Sequence, residues 1–322
     1  MVSRRAFLAG VGAGVAAALA GCSSGASAAS AGTPRPGPVS SAPPTPVPPE
    51  SPLPTPVAWT AGPGEVNPAV KARATRLLQV AGTFSDGTDQ AERLSAAGFQ
   101  PALAKNLAFL APSGDAAVTN VVDAQYGGIL TATASVLIPV EQWYRGADGS
   151  VQKQGRTFDV RLRKASPHWK ITEVNPADSG PAVDTLSDLA KAVLANDRIH
   201  LPASARADVM AGQIHDTVLQ ALDTLARKHV LDLSVLRSGH PLLVFGTDRP
   251  SDHPHGRAAD VWAIDGQRVV DPANRDLVVA FMREAAATGP WQVGGPVDPD
   301  GSGPQYFSDN THHDHVHLGF HT

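Results

Sequence analysis

The sequence predicts an α+β protein built in two parts. Helical apolar spacing and strand-type alternation fall in separate runs rather than in regular alternation. Helices precede strands in each half of the chain, and a polar break, PADSGPAVD at residues 176–184, divides the two. Residues 65–178 form the first module and residues 183–322 the second.

In residues 70–84, VKARATRLLQVAGTF, the apolar Val70, Ala74, Leu77, Leu78 and Ala81 recur at helical spacing. DQAERLSAAGF, residues 89–99, predicts a second, short helix. Residues 117–128, 129–145 and 156–176 alternate and are rich in Val, Thr, Ile and aromatic residues, which suits strands. RGADGSVQKQGR, residues 145–156, reads as the hairpin turn between the last two. Beyond the break, residues 183–196 and 203–230 are amphipathic helices. Short strands are expected at 231–239, 258–264 and 267–272, a helix at 275–288, and end strands at 291–295 and 315–320. There is no internal repeat.

The N-terminal residues read as targeting rather than fold. Arg4 and Arg5 precede an apolar, small-residue run over residues 6–20, which has the charge and length of a secretion signal. The paired arginines resemble a twin-arginine export signal. LAGC, residues 19–22, resembles the lipobox of bacterial lipoproteins, which implies a lipid on Cys22, the single cysteine. A lone secreted cysteine could also be a free thiol or an intermolecular disulfide partner. Its position at the end of the apolar run favours the anchor, and lipidation would leave no cysteine for disulfide or thiolate chemistry. Residues 1–22 are thus expected as the signal and residues 23–64, rich in Pro, Ser and Ala, as a disordered tether. The expected location is the extracytoplasmic face of a membrane. The abundance of Ala, Gly and Pro suggests an actinobacterial source. A net charge of −4 gives no basic footprint for nucleic acid.

The chemistry gathers near the C-terminal end. Of 12 histidines, eight lie at or after His240, and six fall in SDHPHGRAAD (residues 251–260) and THHDHVHLGF (residues 311–320). A catalytic zinc takes three nitrogen or oxygen ligands and leaves a fourth position open. His253 and Asp260 stand in one segment, and His315 and His317, at strand spacing, face one side in the other. Gly256 and the small Ala258 permit a tight turn between His253 and Asp260. A weakly metal-sequestering tail is the bland rival, but it would not need those fixed offsets or the interleaved Val316, Leu318 and Phe320.

Ser251-x-His253-x-x-Gly256-x-Ala258-x-Asp260, with His315-x-His317 downstream, resembles the pattern of the LAS metallopeptidases. These include D-alanyl-D-alanine carboxypeptidases, murein endopeptidases and the hedgehog signalling domain. The resemblance spans residues 183–322 and implies one catalytic zinc held by His253, Asp260 and His317. It implies hydrolysis of the peptidoglycan stem peptide by a zinc-activated water. His315 is the favoured base, with Asp314 as its rival. Arg237 and Arg249 are candidates for stabilising an oxyanion or holding a substrate carboxylate. The alternative is a non-catalytic wall-binding or signalling module that keeps the zinc. The first module resembles, in pattern alone, the cone-like nuclear transport factor 2-like fold. His168, His200, His215 and His229 read as structural, while His240, His255, His312, His313 and His321 are spare in the metal count.

Overall fold

The computed structural model describes residues 52–322, and the protein is a mixed α+β structure with two sheets, each with its own apolar core. The expected signal, the lipobox with Cys22 and residues 23–51 of the expected tether lie outside the described residues.

In the first module, Pro68 opens helix α1 (Pro68–Gly82), where its missing N–H costs nothing. The face it buries is wider than the apolar stripe, because Lys71 and Thr75 are buried beside Val70, Ala74, Leu77 and Leu78. Asp89 caps α2 (Gln90–Ala96) by accepting from the N–H groups of Ala91 and Glu92. A 3-10 stretch, Pro101–Leu110, follows where no element was expected; it buries Leu107 and Leu110. The strands are β1 (Ala117–Val121), β2 (Gln125–Ile129), β3 (Thr133–Arg145), β4 (Val151–Arg163) and β5 (Lys170–Pro176). Residues 151–156, expected in the hairpin turn, are strand: β3 and β4 pair from Thr133 with Arg163 to Arg145 with Val151, leaving 146–150 as the turn. Two strands share one edge of β3: β1 pairs Val140–Tyr144 and β2 pairs Ala134–Leu137. Pro139, which has no N–H to give, falls in the gap between them, and its carbonyl accepts from Val122 at 2.9 Å.

The second module contains α3 (Asp188–Ala195), β6 (Ile199–His200), α4 (Ala203–Met210), α5 (Asp216–Ala226), β7 (Leu231–Val235), β8 (Ala258–Ile264), β9 (Gln267–Arg268), α6 (Arg275–Ala286), β10 (Gln292–Gly295), β11 (Tyr306–Ser308) and β12 (Val316–Gly319). The amphipathic run 203–230 is broken into α4 and α5 at residues 211–215, where Gly212 takes φ 64°. The strand order is β11-β10-β12-β8-β7-β6, with β9 on β8. The helices cover the sheet through Val218, Leu222, Leu225, Phe281 and Met282, which pack against Leu233, Val261, Val293, Val316 and Leu318. Each such side chain contributes about 1.5–3 kcal/mol by leaving water. In the β8–β12 pairing His317 stands directly opposite Asp260.

The modules touch closely. Thr157 N–H donates to Ser204 Oγ at 2.9 Å, and Ile129 N–H to Thr311 Oγ1 at 3.3 Å. The last part of the expected tether is held on this body rather than free. Val57 N–H donates to Asn120 Oδ1, Gln79 Nε2 donates to the Val57 carbonyl, and Val66 N–H just beyond the tether donates to His313 Nε2. Among the described residues no helix is long and apolar enough to cross a membrane.

Asp123 is buried at this junction, with Arg268 Nη2 at 3.8 Å. Burial, opposed by Lys71, raises its pKa from 3.8 to about 6. The folded state therefore keeps a proton that the unfolded chain releases. The stability this gives is complete below about pH 4 and is lost as pH rises through about 6. Asp123→Asn is expected to exceed the parent by about 2–3 kcal/mol at pH 8 and to match it near pH 4. Urea midpoints at both pH values check this; a pH-independent difference would contradict it.

Candidate metal centre

His253 begins a short 3-10 turn, His253–His255, that Gly256 ends in the left-handed region at φ 69°. A β-carbon on Gly256 would lie 1.9 Å from the Gln213 carbonyl oxygen. Only glycine closes the turn there and sends the chain into β8. Ser251 supports the turn from the other side: His253 N–H lies 3.4 Å from Ser251 Oγ, and His240 Nδ1 is 3.3 Å from the same hydroxyl. Ala258, fully buried, pairs with Gly319 and begins the strand that carries Asp260.

These elements bring three donor atoms together. His253 Nε2 lies 3.2 Å from Asp260 Oδ1 and 3.2 Å from His317 Nδ1, and His317 Nδ1 lies 2.9 Å from the same Asp260 oxygen. A tetrahedral ion with bonds of 2.0–2.2 Å separates its ligand atoms by about 3.3–3.6 Å, within a few tenths of an ångström of these distances. The three residues therefore fit a zinc-sized ion in both spacing and donor type. The tautomer agrees. His253 Nδ1 is 2.8 Å from the Leu236 carbonyl, which can only accept, so Nε2 faces the cluster with its lone pair. Burial, with His253 near it, lowers the His317 pKa to about 4 despite Asp260, so its ring is neutral at pH 7. Burial works against ionisation of Asp260, yet His253 and His315 hold its carboxyl well below the usual carboxylate range.

His315 precedes β12 by one residue, but its Nε2 still comes within 3.7 Å of Asp260 Oδ1. Asp314, the rival base, does not face the cluster. Its Oδ1 meets His315 Nδ1 at 2.6 Å, while its Oδ2 accepts from Lys71 Nζ and from Tyr126 N–H at 3.0 Å. Both carboxylate oxygens of Asp314 are thus engaged away from the three donors, and its effect on the cluster runs through the His315 ring. Burial opposes protonation of His315, but Asp260 and Asp314 raise its pKa above the ordinary histidine value.

The cluster lies on the wall of a 660 Å³ cleft that residues of both modules line. Ile129, Leu130, Val244, Phe245 and Phe307 give apolar surface, and Arg249 stands exposed at the rim. Arg237 is not among the lining residues: its backbone N–H donates to Asp208 Oδ2 at 3.1 Å, and it turns the chain after β7 without reaching the cleft. Of the spare histidines, His240 stacks on His253 with ring centroids 4.1 Å apart, and its donor atom lies within 4.8 Å of those of His253 and Asp260. His312 also lines the cleft, tied to Asp309 at 2.8 Å. His255 is exposed, and His321 stacks on Trp291.

Two residues of the site were not found from the sequence. Gln125 Nε2 donates to Asp260 Oδ2 at 2.6 Å, and Lys71 binds Asp314. Lys71 carried a faint signal, since it lies seven residues before the buried Leu78 and so on the same helical face. Glu65, His313 and Asp314 form a second group of converging donors. Lys71 Nζ bonds both of its carboxylates, so an ammonium already supplies the positive charge there. Burial disfavours that charge, but Asp314, Glu65 and Asp123 together hold the Lys71 pKa above the ordinary lysine value.

No family model matches the chain, and no curated protein matches it. Among solved structures, a periplasmic fragment of TraM aligns with a TM-score of 0.25 at 16% identity, covering 34% of this chain and 94% of that fragment. A nuclear transport factor 2-like superfamily protein from Salmonella enterica serovar Typhimurium aligns with a TM-score of 0.22 at 15% identity, over 27% of this chain and 62% of that one. The nuclear transport factor 2-like likeness is therefore a weak structural neighbourhood and nothing more.

Proposed function

We propose that this protein is a zinc-dependent peptidase of the LAS type acting on the stem peptide of peptidoglycan. The observation that carries the reading is the triangle of His253 Nε2, Asp260 Oδ1 and His317 Nδ1, with sides of 2.9–3.2 Å, on the wall of a cleft. A zinc ion held by these three would act as a Lewis acid and acidify water. The chain's own residues do the rest. His315 offers Nε2 to receive a proton, because Asp314 occupies its Nδ1. Arg249 at the rim offers a guanidinium to a substrate carboxylate. The apolar walls at Ile129, Phe245 and Phe307 strip water from a bound chain. The reading includes export by a twin-arginine signal and a lipid on Cys22, which would hold the peptidase at the outer face of the membrane.

The test uses the full chain in detergent, loaded with zinc and incubated with purified peptidoglycan, with mass spectrometry of the muropeptides. Chelator-sensitive loss of terminal D-Ala is the result expected of a carboxypeptidase, and loss of cross-linked dimers that of an endopeptidase. Unchanged muropeptides on several wall types, with zinc bound, would overturn the peptidase and favour a non-catalytic zinc module.

A further inference from the structure

We infer that the first module completes the metal centre of the second: Gln125 fixes Asp260 as a one-oxygen ligand, and Lys71 anchors Asp314 and, through it, the His315 ring. The inference rests on the zinc reading above and goes beyond it, since it gives residues 65–178 a role in the site itself.

The geometry is specific at each link. Asp260 has two oxygens. Oδ1 faces His253 and His317, while Oδ2 is taken by Gln125 Nε2 at 2.6 Å. The Asp260 carboxylate can only accept, which sets the amide orientation with nitrogen toward the carboxylate and leaves the Gln125 carbonyl oxygen to accept from Ser234 Oγ. Gln125, Ser234 and Asp260 are all buried, so no water competes for these bonds. A carboxylate held this way cannot swing to a two-oxygen mode, and its free lone pair is aimed at the cluster.

The second link spans α1 and the start of β12. Lys71 is fully buried, and its ammonium joins Glu65 and Asp314. Tyr126 N–H reaches the same Asp314 oxygen, leaving Oδ1 alone to meet His315 Nδ1 at 2.6 Å. The ring is therefore oriented from the first module, with Nε2 toward Asp260. Lys71 and Gln125 touch neither substrate nor metal; both are positioning residues.

The experiment compares full chains carrying Gln125→Leu, Lys71→Met and Lys71→Arg. Leu107→Ala, in the apolar core of the same module, controls for lost stability. Zinc affinity is measured by chelator competition. Gln125→Leu is expected to weaken it about 10–100-fold, while Leu107→Ala leaves it unchanged. Lys71→Met is expected to keep zinc affinity within a few-fold, to lower kcat with KM unchanged, and to lose the downfield proton resonance of His315 Nδ1–H. Lys71→Arg should restore that resonance; should Lys71→Met fail to fold, Lys71→Arg and the Gln125 measurement still decide. If the parent binds no zinc, the inference and the peptidase reading fall together. If the parent binds zinc while Gln125→Leu matches its affinity and Lys71→Met keeps the resonance, the inference alone is overturned. The zinc-affinity and resonance readouts stand without peptidase activity, so loss of the hydrolytic reading does not decide this one.

Discussion

Replacing Asp260 with alanine is expected to abolish stoichiometric zinc binding while both sheets remain folded. Asp260 supplies the only negative charge among the three converging donors, and two imidazoles would be left to hold a doubly charged ion. The loss should exceed the roughly 10–100-fold that removal of an outer partner costs. The fold has less at stake. Gln125 Nε2 would lose its acceptor in a buried place, a cost of about 1–3 kcal/mol. Metal analysis after dialysis against zinc, with circular dichroism on the same sample, reads both quantities. His253→Ala should behave alike, whereas alanine at the exposed His255 should bind zinc as the parent does. Full occupancy in Asp260→Ala and His253→Ala would sink the ligand assignment.

Gly256→Val is expected to be the most damaging single change to stability. Two penalties combine at this position. Its φ of 69° is a region that β-branched residues strongly avoid, and the new β-carbon would sit 1.9 Å from a backbone oxygen, which has no flexible end to yield. Together they should cost at least about 3 kcal/mol and pull His253 away from Asp260. Gly289, at φ 99° with nothing within 4 Å of its β-position, separates the two effects. Gly289→Val carries the backbone strain alone and should cost clearly less. Denaturant midpoints of both variants check the order; equal losses would show that contact with Gln213 is harmless.

The strands that carry the cluster were legible in two ways, β8 as a short and almost wholly apolar run and β12 by its alternation. AADVWAI gave β8 to the residue, and the interleaving of His with Val, Leu and Phe gave β12. The three donors were named on the resemblance to the LAS pattern, and the structure brings their donor atoms within 3.2 Å of one another. What was hidden is long-range. Gln125 is 135 positions from Asp260, and Lys71 is 243 from Asp314. No local pattern marks a glutamine in a strand or a lysine on a helix as the partner of a distant carboxylate. Arg237 shows the reverse failure: proximity along the chain to a turn near the cluster did not place it in the cleft. The 3-10 stretch at Pro101–Leu110 follows neither template period, and Val57 and its neighbours carry a linker's composition yet are held by side chains of α1 and β1.

The span between Lys71 and Asp314 also sets an order of events during folding. Bringing residues so far apart into one bonded chain requires closure of nearly the whole described polypeptide, and such closures come late and slowly. The second module can form its helices and pair β8 with β12 using contacts of its own, but Asp314 and Asp260 gain their outer partners only when the first module docks. Tight metal capture would then mark the final step of assembly, and ion uptake timed against refolding would report the docking of two separately built cores.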